Sequence, residues 1–381
     1  MIGIGYIDLA DPSDRGPEGA GPFRILVRHG IDNLGEMSVD DLAEVLRSIG
    51  GVRGLAVDHF PVEIRAAADR VEHESLPPKA FTVVVCTRNR AELLDGCLAH
   101  LRDLDPLPGQ ILVVDNAPND TETEQLARRH GVDYVVEPAA GLDRARNRGR
   151  RESSGEVVVY VDDDARAGRA LVGAYGRVFV DPEIGAASGL VLPFELATPA
   201  QIAFERIGGM RKGFDRRFFD PRIVGMQSFQ LGAGTNMAFR RTVLDAIGGF
   251  DPHLDVGTPS RGGGDLDALW RVLDAGFGVE YEPNAVVRHI HRRTLAGLID
   301  QHRDYGTAYR AVLERALQRS PHRAAEVRRE LRRWHWHRHV RGPLGALRRR
   351  DLLAARLLVA EALGSRVGVA SVQVPLLDYA S

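Results

Sequence analysis

Four apolar runs recur between residues 81 and 162: "FTVVVC", "QILVVD", "VDYVVEP" and "EVVVYVD". A strand that is apolar on both faces has to be covered on both faces. Helix-forming stretches separate the runs. "RAELLDGCLAHLRDL" sets Leu93, Leu94, Cys97, Leu98 and Leu101 on one helical face. "TETEQLARRHG" ends on a glycine stop, and "LDRARNRGRRESSG" forms the third helix. Strand and helix in alternation predict an α/β fold, a parallel sheet with helices on both faces. Ligands of such sheets bind beyond the carboxyl ends of the strands. Polar groups collect there in "CTRNR", "DNAPND" and "DDDA".

The flanks differ. Residues 1–76 read as a small N-terminal α+β module, with "FRILVRHG" as strand and "SVDDLAEVLRSIGG" as a helix from Ser38 to Gly50. "HESLPPKAF" reads as a linker, because Pro77-Pro78 continues neither helix nor sheet. Residues 77–293 form the expected main α/β domain and 294–381 a helical C-terminal region. Within the domain, 193–230 breaks the pattern with six phenylalanines and Arg211, Lys212, Arg216, Arg217 and Arg222. Long irregular stretches are commonly functional, so it is the candidate for acceptor recognition, with a plain packing role for its aromatics as the competing reading. "DLDALWRVLDA" is a helix with Leu266, Leu269, Trp270 and Leu273 on one face.

"VVVYVDDDARAG" runs strand residues straight into Asp162, Asp163 and Asp164. Where strand geometry persists, residues two apart point the same way, so Asp162 and Asp164 converge. Two converging carboxylates suit Mg²⁺ or Mn²⁺, ions that bind through one or two carboxylates and the oxygens of a diphosphate. A solvated turn is the plainer reading of the same residues. Asp115 ends another strand at that edge, and Arg144 and Arg146 open a helix there and could meet phosphate. Asp265 and Asp267 follow a glycine-rich loop, and His289 and His291 follow later, either able to complete a metal shell.

These residues carry a resemblance. From about 81 to 293 the chain resembles a family-2 glycosyltransferase of GT-A fold. "FTVVVCTRNR" is similar to that family's first strand, "ILVVDNAPND" to its second, and "GLDRARNRG" to its Gly…Ala-Arg-Asn…Gly helix start. "VYVDDDA" resembles its Asp-x-Asp motif, "GAGTNMAFRR…IGGFD" its middle block, and "GGGDLDALWRVLDAGFGVEYEPNAVVRHIH" its acceptor-side block. The resemblance implies a GT-A catalytic domain that transfers a sugar with inversion from a nucleoside-diphosphate sugar, expected to be a UDP-sugar. Nucleotide contacts would come from Thr87, Asn89, Asp115, Arg144, Asp162 and Asp163. Asp164 and His289 would hold Mn²⁺ or Mg²⁺, with His291 as runner-up, and Asp265 would be the general base. One departure stands out. The family carries Glu-Asp where this chain has Gly264-Asp265, which leaves Asp267 as a rival base.

Other classes fit less well. A nicotinamide dehydrogenase calls for a Gly-x-Gly-x-x-Gly turn after the first strand, and "CTRNRAE" has no glycine. A nucleotidylyltransferase calls for a lysine-containing phosphate loop, and the only lysines are Lys79 and Lys212. A non-catalytic sugar-nucleotide or carbohydrate-binding protein is the alternative of a different class. Net charge is −2, so no global field points to nucleic acid. Two cysteines make no disulfide framework, and no run approaches the roughly 20 apolar residues of a membrane span. The N-terminus lacks a basic region followed by an apolar core, so no signal peptide is expected. The expected place is the cytoplasm, with room for attachment to the inner membrane face. Residues 323–350 hold ten arginines, two glutamates and the Trp334/Trp336 pair, a composition for peripheral contact with an anionic membrane, or for a homodimer face. The acceptor stays open: a lipid-linked or cell-wall glycan, a secondary metabolite or a peptide.

Overall fold

The computed structural model describes residues 3–8, 23–29, 32–38, 75–222 and 230–366. Near the N-terminus, β1 (Gly3–Asp8) lies parallel to β2 (Phe23–His29), which pairs antiparallel with β3 (Asp32–Ser38). Ser38, the expected N-cap, ends β3, and residues 39–50 of the expected helix lie outside the described residues. The expected linker is pinned rather than loose. Leu76 N–H donates to Gly176 C=O at 3.0 Å, and Pro78–Ala80 form a 3₁₀ turn.

The four apolar runs are the parallel strands β4 (Phe81–Thr87), β5 (Gln110–Asn116), β6 (Asp133–Glu137) and β7 (Val157–Val161), in the order β7-β4-β5-β6. Between them run α1 (Ala91–Arg102), α2 (Glu122–His130) and α3 (Leu142–Glu152). Gly131 ends α2 in the left-handed region at φ 63°, where glycine carries no Cβ penalty. Period-2 alternation divides the core. Val83, Val85, Val113, Val157 and Val159 face Leu94, Leu98 and Leu101 of α1. Val84, Leu112, Val114, Val158 and Tyr160 face the other way. Each such fully buried side chain contributes about 1.5–3 kcal/mol.

Beyond β7 the sheet becomes mixed. β8 (Ala165–Ala167), β9 (Ile184–Pro193), β10 (Arg217–Phe219), β11 (Asn236–Arg240) and β12 (Gly278–His289) extend it in the order β10-β12-β9-β11-β7. β11 runs antiparallel between β7 and β9, while β12 is parallel to β9. Pro283-Asn284 would spoil a regular ladder, and the register of β12 shifts between Glu282 and Val286 to pass them. The helices here are α4 (Leu171–Val178), α5 (Pro199–Arg206), α6 (Arg241–Ala246) and α7 (Gly264–Asp274). The irregular stretch thus contains α5 and β10, and 223–229 lie outside the described residues.

The C-terminal part is helical through residue 364: α8 (Leu295–Arg319), α9 (Ala324–Trp334), a π-helical stretch at His335–Arg341, α10 (Gly342–Arg348) and α11 (Leu352–Gly364). Trp270 of α7 shares a core with Tyr309, Val312 and Ala316 of α8 and Trp334 of α9. α8 and α11 meet backbone to backbone. A Cβ on Gly306 would lie 1.9 Å from Glu361 C=O, and one on Gly364 1.9 Å from Arg303 C=O.

Candidate active site

The acid cluster is a turn, not a continuing strand. Ala165 N–H donates to Asp162 C=O at 3.1 Å, closing a tight reversal between β7 and β8. The turn sends neighbouring carboxylates apart. Asp163 points inward, accepting from the Thr87 hydroxyl at 2.8 Å and from Arg90 at 2.7 Å. Burial pushes its carboxyl up to about 7, against the pull of Arg90. Asp162 and Asp164 face the other side, where they meet His289. One ligand atom from each of the three lies within 4.8 Å of the others.

Strand register brings His289 there across 125 residues of sequence. β8 pairs antiparallel with the end of β12, setting His289 opposite Ala165. Its Nε2 lies 3.1 Å from Asp164 Oδ1. Burial works against a charged ring, but the hydrogen bond and charge of Asp164 prevail and raise the His289 pKa. Asp164 moves the opposite way: burial opposes its charge, yet His289 and Arg90 hold it below the ordinary carboxylate range. Asp162 is raised, by burial and by Asp164 beside it. Two carboxylates and an imidazole form a donor set that suits Mn²⁺ or Mg²⁺.

His291 does not join this set. Its Nδ1 is 3.2 Å from His289 Nδ1, and its Nε2 is 3.0 Å from Glu205 Oε1. Both of its ring nitrogens are therefore engaged, one by the neighbouring ring and one by a carboxylate. Phe204 packs edge-on against the ring at 4.8 Å, and Gln201 Nε2 donates to His291 C=O at 3.3 Å. Helix α5, opened by a Thr198/Gln201 capping box, braces the histidine pair from within the stretch that reads as irregular. Outer-shell contacts of this kind orient ligands and fix their tautomers.

A second centre is the buried Arg146. Its Nη1 bonds Asp143 at 2.9 Å and Asp255 at 2.6 Å, and its charge stabilises the anions of both Asp162 and Asp265. Asp265 opens α7, and Gly234 N–H donates to its Oδ2 at 2.7 Å. Burial, then Asp255, raises its carboxyl. Asp267, the rival, is fully buried. Arg271 donates to one of its oxygens at 2.8 Å and Arg319 to the other. Gly264 has its own steric reason: a Cβ there would lie 1.9 Å from Asp143 Oδ2. A glutamate at 264 has no room beside a buried Asp143.

The remaining site residues spread along the strand ends. Asp115 accepts from the Tyr134 hydroxyl at 2.9 Å, while its Oδ1 is buried with no hydrogen-bond partner. Asn116 spans the crevice floor, donating to Ala139 C=O at 2.8 Å and accepting from Gly141 N–H at 2.9 Å. Asn89 is exposed at φ 53° and accepts from Asn119 N–H at 3.0 Å, tying two loops of the rim. Arg144 is exposed, while Arg146 is the cation turned inward. The residues that sequence reasoning passed over are Arg90, Glu205, Asp143 and Asp255. Arg90 and Asp143 stand within motifs that the sequence already marks. Glu205 and Asp255 had no signal, because long-range pairing alone brings them in.

Comparison with known proteins agrees with this geometry. Residues 82–248 match glycosyl transferase family 2. A pre-mycofactocin glycosyltransferase of Mycobacterium tuberculosis (strain ATCC 25618 / H37Rv) is 25% identical over 229 residues, 59% of this chain and 46% of that protein. An N-acetylglucosaminyltransferase of Rhizobium meliloti (strain 1021) is 26% identical over 253 residues, 62% of this chain and 56% of that protein. The chain thus spans about half the length of these relatives. Among solved structures, a mannosyltransferase from Pyrobaculum calidifontis in complex with GDP-Man and Mn²⁺ superposes with a TM-score of 0.51 at 20% identity. The match covers 78% of this chain and 91% of that one, and it shows the GT-A fold. Ordered motifs, mixed sheet and acid turn therefore point the same way: residues 82–248 are similar to glycosyl transferase family 2, and the fold that carries them is GT-A.

Proposed function

We propose that this chain transfers a sugar, with inversion, from a nucleoside-diphosphate sugar to an acceptor nucleophile, and that the reaction depends on a divalent cation. The observation that carries this reading is the convergence of Asp162, Asp164 and His289 at the carboxyl edge of the sheet. These three residues would hold Mn²⁺ or Mg²⁺. The ion would supply charge neutralisation for the departing diphosphate. Asp115 lies at the strand end beyond which such folds bind ligands, and its orphaned Oδ1 suits a hydrogen-bond donor of the base or ribose. Thr87 and Asp163 bond to each other and so shape the turn beside the expected nucleotide. Arg90 bridges Asp163 and Asp164 and offsets the repulsion between their charges.

Asp265 is the residue we assign as general base. It accepts the acceptor's proton as the nucleophile attacks the anomeric carbon opposite the leaving group, a single displacement that inverts configuration. A raised carboxyl is the stronger base, and Gly234 N–H fixes its orientation. Asp267 does not compete, since both of its oxygens are committed to arginines.

Melting temperature with UDP, GDP and dTDP, each with and without Mn²⁺, tests this reading. A ligand at about 100 times its dissociation constant adds about 2.7 kcal/mol. A metal-dependent shift with one nucleoside diphosphate supports it. UDP is the expectation, and a GDP shift would match the ligand of the archaeal structure. No shift with any of the three would overturn it.

A further inference from the structure

Seven of the fifteen exposed large hydrophobic side chains among the described residues lie between 336 and 363. Four follow one another along the helical run of α9, the π-helical stretch and α10. Trp336 is 58% exposed, Val340 41%, Leu344 53% and Leu347 51%. Steps of four, four and three residues keep them on one side of the helix. The inner side of the same run is a packed core, where Trp334 meets Tyr309 at 5.0 Å between ring centroids. The outward residues are therefore not core residues missing a neighbour.

Charge on this surface is sorted. Nine arginines between Val327 and Arg366 are exposed, among them Arg332, Arg341, Arg348 and Arg349. None of the three carboxylates in that span is exposed. Glu330 is buried against Tyr309 and Arg333, and Glu361 is buried against Trp334 and Arg338. Asp351 caps α11 by accepting from Ala354 N–H at 3.0 Å. The acids face inward and the cations outward, so the surface is far more positive than a chain of net charge −2 suggests.

We propose that the face built from Trp336, Val340, Leu344 and Leu347 rests on an anionic phospholipid surface, with the surrounding arginines on the headgroups. An indole with aliphatic side chains on one face and arginines beside them is the pattern of a helix lying in the membrane interface. Each arginine near such a surface adds to the attraction. No described helix is long and apolar enough to cross a membrane, so contact here is peripheral. The proposal goes beyond the transfer reaction and does not depend on it. A second copy of the chain would instead have to meet a field of its own sign, which disfavours self-association through this face.

The test is co-sedimentation of the full chain with vesicles of phosphatidylcholine alone or with about one third phosphatidylglycerol. The expected result is pelleting with the anionic vesicles only. It should weaken at high salt and fall at least tenfold in W336D/L344D and in R348E/R349E. All four positions are exposed, so an unchanged melting temperature separates lost binding from lost folding. A chain that stays in the supernatant with both vesicles overturns the proposal. So does a concentration-dependent dimer in light scattering that W336D/L344D disrupts while vesicle binding is unaffected, which would make the face a self-association surface.

Discussion

Two Asp-x-Asp pairs in this chain have opposite fates. Asp162 and Asp164 converge on His289. Asp265 and Asp267 diverge: the first is part-buried, held by Gly234 N–H under the charge of Arg146, and the second is sealed between Arg271 and Arg319. Spacing is identical, so the backbone makes the difference. A turn that begins at Asp162 folds its first and third side chains to one side and its second to the other. On a helix, two residues apart means about 200° around the axis, by the 3.6-residue period. A pair of acids becomes a site or a strut according to the element beneath it.

That contrast can be broken by experiment. Substituting Asp164 by Asn removes a ligand from the converging pair. Transfer should fall about a thousandfold or more, and the Mn²⁺-dependent melting shift with nucleotide should disappear, since a metal's charge stabilisation is worth several kcal/mol. D265N should cost about 10²–10⁴ in kcat while nucleotide affinity and melting temperature hold, the signature of a lost general base. If D265N keeps full activity, Asp265 is not the base.

D267N should do the reverse. It leaves buried Arg271 without its carboxylate, a loss of about 3–5 kcal/mol of stability by denaturant titration. Arg319 keeps a second partner in Asp251, which places the cost toward the lower end. Activity per folded molecule should barely change; a large fall in kcat in the folded fraction would reopen Asp267 as a base.

Smaller effects sharpen the picture. E205Q disturbs the bracing of His291 and, through it, His289. Mn²⁺ affinity by calorimetry should weaken about 10–100-fold with the fold intact; unchanged affinity would reduce Glu205 to a packing residue. The pH dependence of the C-terminal helices should be modest. Burial holds the His339 ring down to about 4 from an ordinary 6.5, against the opposing pull of Glu361. It is neutral in the fold, so the unfolded chain takes up the proton first as pH drops. Its contribution is complete above about pH 6.5 and is lost on falling toward 4. In H339Q the melting temperature should vary less across that window.

Much of the frame was legible in the residues. The runs at 81–87, 110–116 and 157–161 are strands because apolar β-branched residues on both faces suit only a covered sheet. The region after 165 was harder. β9 reads "IGAASGLVLP", and its small residues give no strand signal; burial between β11 and β12 makes it one. β12 carries Pro283, which argues against a strand until the shifted register is seen. Three of the arginines in the stretch expected to greet an acceptor also hold partners within the fold. Arg211 pairs with Glu205, Arg216 with Glu280, and Arg222 with Asp220.

By itself, the order of residues determined the elements and the strand edge at which the chemistry collects. Local period and local composition act over a few residues, and a strand end carries its polar group wherever it packs. Tertiary structure decided which groups meet. His289 reaches Asp164 through the β8–β12 ladder, Glu205 reaches His291 through α5, and Arg319 crosses from α8 to take Asp267 out of contention. Each of those contacts joins residues more than fifty positions apart, and distances across a fold follow from packing rather than from any local rule.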